Sequence, residues 1–264
     1  MSSKTESVIL CEGYHDRAFW AAWLLYLGMT DRGDPNGADQ RTSVLDPWGK
    51  KVERGQFGFY SESGKFVRVF PCRDRRNTLR EAENRLNNEQ QRQQQQAATP
   101  QLTRLVLNVD ADTDAGSGTA KTGFRREDLK RELEKFDDAV NENDDGDFAL
   151  FDGATLVSLV RWEANDSPRD GLPNQQTLER LVCASITAVY PERAEPIQKW
   201  LSSRPDAPQA GPKEFGWSHM AGWYADAGCE AFFRVVWTNA RVRDELKARL
   251  VASGAWRIAE SLAQ

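Results

Sequence analysis

Three aspartates at alternate positions, Asp110, Asp112 and Asp114, close the run Val106-Leu107-Asn108-Val109. A short apolar run of this kind reads as a buried strand. While the backbone stays extended, Asp110 and Asp112 point to one side, because strand side chains repeat every two residues. An earlier stretch has the same form: Ser7-Val8-Ile9-Leu10-Cys11 runs into Glu12-Gly13, with Asp16 opening a helix-like segment. Two strands that each deliver carboxylates at the C-terminal end suggest a divalent-metal site at the mouth of a parallel sheet, where open α/β sheets bind ligands. Oxygen-only donors suit Mg2+ or Mn2+, hard ions that activate water and stabilise charge on a phosphodiester under attack. A D-x-D alone is as readily a structural or capping feature. The earlier strand-Glu-Gly-x-x-Asp makes the combination specific.

These residues need a scaffold, and the chain is long enough to build one. Its 264 residues are 39% hydrophobic and 28% charged, polar for a globular protein but within the folded range. Nine Trp and twelve Phe supply apolar area for a core. No apolar run is long enough to span a bilayer, and the first residues lack a signal-peptide pattern. Cys11, Cys72, Cys183 and Cys229 are scattered, with no C-x-x-C, and read as reduced thiols in the cytoplasm rather than zinc ligands. The net charge of −5 does not announce a nucleic-acid partner, although carboxylates that hold cations contribute to it.

Along the chain, Asp16 to Gly28 is expected to be a helix with a wide apolar face, closed by Gly28. Residues from about 29 to 65 read as an insertion, whose last part, Gln56 to Tyr60, forms a hairpin with Lys65 to Cys72 about Ser61-Glu62-Ser63-Gly64 and sends Phe66–Phe70 into the sheet. Leu79, Ala82 and Leu86 mark a docked helix over 74–96, with a solvated or frayed Gln-rich end. The acidic strand 104–110 follows, then a Gly/Ser/Thr loop over 115–123 and a charged helix over 124–139. Asn141 to Asp147 resembles calcium-binding composition, without the ligand spacing of an EF-hand loop. A strand over Thr155–Trp162 and a helix from about Thr177 to Val189 come next, and the chain is mainly helical from Glu192. This pattern predicts an α/β fold, a mostly parallel sheet flanked by helices, with a helical C-terminal extension. The expected division is an α/β domain over 1–190 and a helical part over 191–264 packed on it.

Val8-Ile9-Leu10-Cys11-Glu12-Gly13-Tyr14-His15-Asp16 and Val109-Asp110-Ala111-Asp112 resemble the two signature motifs of the toprim domain. That domain is shared by topoisomerases, bacterial primases, small repair nucleases and the OLD (overcoming lysogenisation defect) nucleases. The resemblance implies that Glu12, Asp110 and Asp112 hold one divalent ion, Mg2+ or Mn2+. Asp16 matches a further acid that OLD-type members use for a second metal, and Thr177-Leu178-Glu179 is similar to their downstream Ser/Thr-x-Glu, which adds Glu179. OLD nucleases also carry a C-terminal lysine, for which Lys199 and Lys213 are both candidates here. Their fused ATPase has no counterpart: Gly116-Ser117-Gly118-Thr119-Ala120-Lys121-Thr122 fails the G-x-x-x-x-G-K-[ST] spacing and reads as a mobile loop beside the acids, with Lys121 a candidate phosphate contact. The implied protein is a stand-alone OLD-like nuclease that cuts DNA or RNA phosphodiesters. It would work in the cytoplasm, without a membrane, in phage defence alongside a separate ATPase. Self-association into a homo-oligomer stays open.

Other residues carry weaker signals. His15 could assist chemistry beside the acids, but a helix N-terminal surface histidine is the commoner case. His219, among Trp217, Met220 and Trp223, reads as a packing residue, and no Ser-His-Asp pattern is present. Glu163 reads as a strand-end acid. Arg73, Arg75 and Arg76, with Lys121, Arg125, Arg126, Lys130 and Arg131, could grip a phosphate backbone or simply be solvated. The C-terminal tryptophans read as core. The rival to a nuclease is a non-catalytic, toprim-like module that binds nucleic acid or regulates. Primase-like nucleotidyl transfer is a third reading, although no zinc-binding or helicase-binding region is visible.

Overall fold

A computed structural model describes residues 5–31, 56–61, 63–95, 101–112, 123–203, 205, 210–221, 223 and 228–264. The chain begins with β1 (Thr5–Cys11) and α1 (Tyr14–Tyr26), then β2 (Thr30–Asp31), β3 (Phe57–Tyr60) and β4 (Phe66–Pro71). Next come α2 (Arg75–Gln95), β5 (Gln101–Asp110), α3 (Arg126–Leu133), β6 (Asn141–Glu142), β7 (Phe148–Leu150) and β8 (Thr155–Trp162). Helices α4 (Leu178–Val189), α5 (Ala194–Ser202), α6 (Pro212–Ala221), α7 (Gly228–Thr238), α8 (Ala240–Ala252) and α9 (Ala255–Ala263) complete it.

The eight strands form one sheet in the order β2-β3-β4-β1-β5-β8-β7-β6. Its centre is parallel, β1 pairing with β4 on one side and β5 on the other. Between β5 and β8 the bonds climb together, Leu102 with Thr155 and Asn108 with Val160, the order of strands that run the same way. The flanks are antiparallel: β2 with β3, β3 with β4, β6 with β7, and β7 with β8. The sheet is therefore mixed, with more antiparallel pairings than parallel ones, which corrects the expectation of a mostly parallel sheet. The connections explain it. The links from Tyr60 to Phe66 and from Leu150 to Thr155 are hairpin-sized, far too short for the crossover a parallel neighbour needs.

The chain divides into two compact units, one of residues 1–109, 125–160 and 257–264, the other of 110–124 and 161–256. The boundary expected near residue 190 falls inside the second unit. Within the expected 29–65 insertion, β3 belongs to the sheet, and residues 32–55 lie outside the described residues.

In the first unit, Val8 to Cys11 are wholly buried, as in a central parallel strand whose faces are both covered. Helix α1 covers them with Phe19, Trp20 and Trp23, the two indoles stacked at 4.8 Å. Burying each such side chain contributes about 1.5–3 kcal/mol. Asn108 is the one polar residue in this part of β5. Its Oδ1 accepts from Trp20 Nε1 at 2.9 Å and its Nδ2 donates to the Val160 carbonyl at 3.3 Å, so a buried amide is satisfied at both ends. Helix α2 runs on through the Gln-rich stretch to Gln95, where fraying is expected from the sequence. Glu89 holds it: its buried carboxylate pairs with Arg92 and accepts the Leu102 N–H at 3.1 Å, tying the helix to β5. Asp147, fully buried, is bound by Arg104 at 2.9 Å, Ser158 at 2.8 Å and Arg257 at 3.1 Å. The calcium-like composition of 141–147 thus ends in a carboxylate occupied by two guanidinium groups.

In the second unit, α4 is buried from Leu178 to Thr187 and packs against α6 and α8. Arg180, with no exposed surface, donates to the carbonyls of Ala164, Pro173 and Asp166 and so shapes the loop between β8 and α4. The Asp166 carboxylate in turn receives Arg249 of α8 at 2.9 and 3.3 Å. His219 has no exposed surface. Its Nε2 lies 3.2 Å from the Gly171 carbonyl, and burial pushes its pKa down to about 4, the bond to Gly171 opposing. Among the described residues, no helix is long and apolar enough to cross a membrane.

Candidate active site

Strand β1 ends at Cys11, paired with Asn108 of β5, and the Glu12 N–H continues that ladder to the Asn108 carbonyl at 3.1 Å. Glu12 thus leaves the sheet at the C-terminal end of a central strand. Gly13 caps α1 with extended backbone, and Asp16 follows in the first turn, buried, where a negative charge meets the positive end of the helix dipole. A methyl on Gly13 would lie 2.6 Å from Asp16 Oδ2, so only glycine leaves that carboxylate its place. Arg75, at the start of α2, sets its Nε 3.9 Å from Glu12 Oε1. Tyr14 is exposed beside these acids, with the Arg17 guanidinium 4.0 Å over its ring. His15 is half-buried at the second position of α1.

The second unit gathers the other acids. Asp110 ends β5, and its Oδ1 accepts the Leu178 N–H at 3.1 Å at the first turn of α4. The Ala111 N–H donates to the Trp162 carbonyl at 3.2 Å, and the Asp112 N–H to the Gln176 carbonyl at 3.1 Å. Gln176 is itself fixed by reciprocal bonds of 2.7 and 3.0 Å with Ala164. Asp112 has a φ of 53°, left-handed backbone that aspartate tolerates better than most residues and that turns the chain out of the strand. Thr177 caps α4, its side chain accepting from the Arg180 N–H. Glu179 stands next in the first turn, nearly buried, its stem against Gly216 of α6. The D-x-D and the Thr177-Leu178-Glu179 motif therefore meet through the Asp110 carboxylate and the Leu178 N–H, although 68 positions separate the two residues.

Glu12 and Asp16 lie in the first unit, Asp110, Asp112 and Glu179 in the second. Carboxylate oxygens are the donors that Mg2+ and Mn2+ prefer, and all five candidate side chains supply them. Among the described residues, no three His, Cys, Asp or Glu side chains converge closely enough to hold an ion. Glu163 is 3.4 Å from Arg161, an ion pair on its own strand end. The Gly116–Thr122 loop, with Lys121 and Asp114, lies outside the described residues.

Comparison with known proteins adds the fold. A solved structure, the hypothetical protein PH0156 from Pyrococcus horikoshii OT3, is similar with a TM-score of 0.66 over 98% of this chain and 100% of that one. The likeness is one of fold. At 11% identity it carries no residue roles. No protein-family model and no curated protein matches the chain.

Three parts of the site escape a reading of motifs: Arg75 beside Glu12, Asn108 behind it, and Gln176 beneath Asp112. Arg75 sits in a basic cluster visible in the sequence, but nothing in the spacing assigns it to Glu12. Asn108 carries a sequence signal, as the lone amide in an otherwise apolar strand.

Proposed function

We propose that this chain is a divalent-metal-dependent nuclease of toprim type, OLD-like, which hydrolyses nucleic-acid phosphodiesters. The observation that carries the reading is the bond between Asp110 and Leu178, which joins the acid at the end of β5 to the helix turn bearing Glu179. Strand order supports it as well, since β1 and β5 are parallel neighbours and Glu12 continues the ladder between them. Glu12, Asp110 and Asp112 would hold one Mg2+ or Mn2+, and Asp16 and Glu179 would contribute to a second. Bound ions of this kind supply an activated water and neutralise charge on the phosphodiester. The chain's own groups do the positioning. Leu178 N–H fixes one Asp110 oxygen, and the left-handed turn at Asp112 redirects the second aspartate. Arg75 balances Glu12 and is suited to meet a phosphate oxygen. A separate ATPase, in phage defence, is the partner this reading calls for.

Supercoiled plasmid and transfer RNA, each incubated with Mg2+ or Mn2+ and with any partner ATPase supplied, test the reading. Wild-type protein is expected to cut at least one of them, and Glu12→Ala and Asp110→Asn to lose that cutting by about 100-fold or more while folding normally. Undiminished cleavage in both variants removes the mechanism. The second reading, a toprim-like module without catalysis, is favoured by the ion pair of Glu12 with Arg75 and by the absence, among the described residues, of three converged metal-binding side chains. It predicts binding without cleavage in every ion.

A further inference from the structure

Most of the described large aromatic side chains in the second unit are buried, as the sequence leads one to expect, but two are exposed. Trp200 near the end of α5 is 61% exposed, and Trp217 on α6 is 55% exposed. Leaving an indole in water forfeits the burial that makes tryptophan worth carrying, and here it happens twice on helices that pack against each other. Each ring has an exposed lysine close by in the chain. Lys213 stands one turn before Trp217 on the same face of α6, and Lys199 directly precedes Trp200. The remaining exposed neighbours on α5 are Glu195, Pro196 and Ser202, so the surroundings are polar rather than an apolar patch.

We infer that Trp200 and Trp217, with Lys199 and Lys213, form a surface for single-stranded nucleic acid. The rings stack on unpaired bases and the ammonium groups take the flanking phosphates. The choice of polymer rests on the nuclease reading, and the inference narrows the substrate to strands whose bases are unstacked. Base stacking on aromatic side chains combined with cationic contacts to the backbone is how strands are held without reading sequence. A second copy of the chain fits less well. Two indoles of at most about 250 Å2 each fall short of the roughly 800 Å2 per partner that a stable interface buries. A duplex, with its bases stacked inside, offers the rings nothing.

The test is fluorescence anisotropy with labelled oligothymidylate, oligouridylate and a duplex of equal length. EDTA is present throughout, so cleavage does not enter. Wild-type protein should bind both single strands similarly and the duplex more weakly. Trp200→Ala and Trp217→Ala should each weaken single-strand binding about 5- to 100-fold, with Trp200→Phe and Trp217→Phe retaining most of it. Lys199→Gln with Lys213→Gln should flatten the salt dependence by about 1.4 in the log–log slope. These positions are exposed, and circular dichroism checks that the variants fold. The inference is overturned if wild type does not bind the single strands, if the alanine variants bind as wild type does, or if they lose self-association in light scattering instead. Binding that follows this pattern in a protein that never cleaves leaves the inference standing and removes the nuclease reading, so the two fail separately.

Discussion

A methyl group on Gly123 would sit 1.9 Å from the carbonyl oxygen of Ala111, the residue between the paired aspartates. No side chain can be accommodated there without moving the backbone of the D-x-D itself. Gly123→Ala is therefore expected to cost about 1–3 kcal/mol of stability and to impair whatever Asp110 and Asp112 do. A urea denaturation midpoint indistinguishable from wild type would refute this. The sequence shows Gly123 as one more glycine in a small-residue loop, because a contact between backbones leaves no trace in residue type. Glu12 and Asp16 are legible in sequence because an apolar run ending in acids is a local pattern. Their surroundings are not. Arg75 reaches Glu12 only through the parallel pairing of β1 with β4, and a basic cluster of the same composition could have faced solvent.

At the scale of elements, Asp110 serves α4 as well as β5. Its carboxylate supplements the Thr177 cap by accepting the N–H of the first helical residue. Asp110→Asn keeps an oxygen acceptor for Leu178 and Asp110→Ala does not, so alanine should be the less stable by about 1 kcal/mol. Thermal unfolding of the two variants checks this, and equal midpoints would mean that the bond contributes nothing. Strands and helices were mostly readable, since β1, β5 and β8 are apolar runs and α1 is stopped just before Gly28, whose φ of 87° only glycine adopts readily. The direction of pairing was harder. Alternation of strands with helices points to a parallel sheet, and it describes the centre, but β2, β6 and β7 are too short to register as apolar runs and they make the flanks antiparallel. Helix α2 outlasts its composition for a related reason: the partner of Glu89 that ties it to the sheet is a backbone N–H at Leu102, beyond the reach of helical periodicity.

Across the whole molecule, carboxylates clasped by guanidinium groups set the response to acid, Asp147 in one unit and Asp166 in the other. Burial raises the pKa of Asp147, but hydrogen bonds from Arg257, Ser158 and Arg104 outweigh it and leave it below the usual range. Asp166 is lowered in the same way, burial opposing and Arg249 prevailing. Stability from such depressed groups is present above the carboxylate pKa of an unfolded chain and is lost as pH falls toward the folded value. His219 acts earlier. Its folded value of about 4, against 6.5 when free, means the unfolded chain takes up the proton first, so stability should fall by about 3 kcal/mol between pH 6.5 and 4. Urea midpoints measured from pH 7 to 3 should show a decline over that window that His219→Gln lacks, then a steeper loss below pH 4 that Asp147→Asn softens. A flat profile for wild type down to pH 4 would contradict the burial of a neutral imidazole. The Arg180 guanidinium is ringed by main-chain oxygens of Ala164, Asp166 and Pro173. Those three acceptors share a single side chain as their donor, so truncating Arg180 would unseat the whole connection from β8 at once, as drawing a keystone loosens an arch.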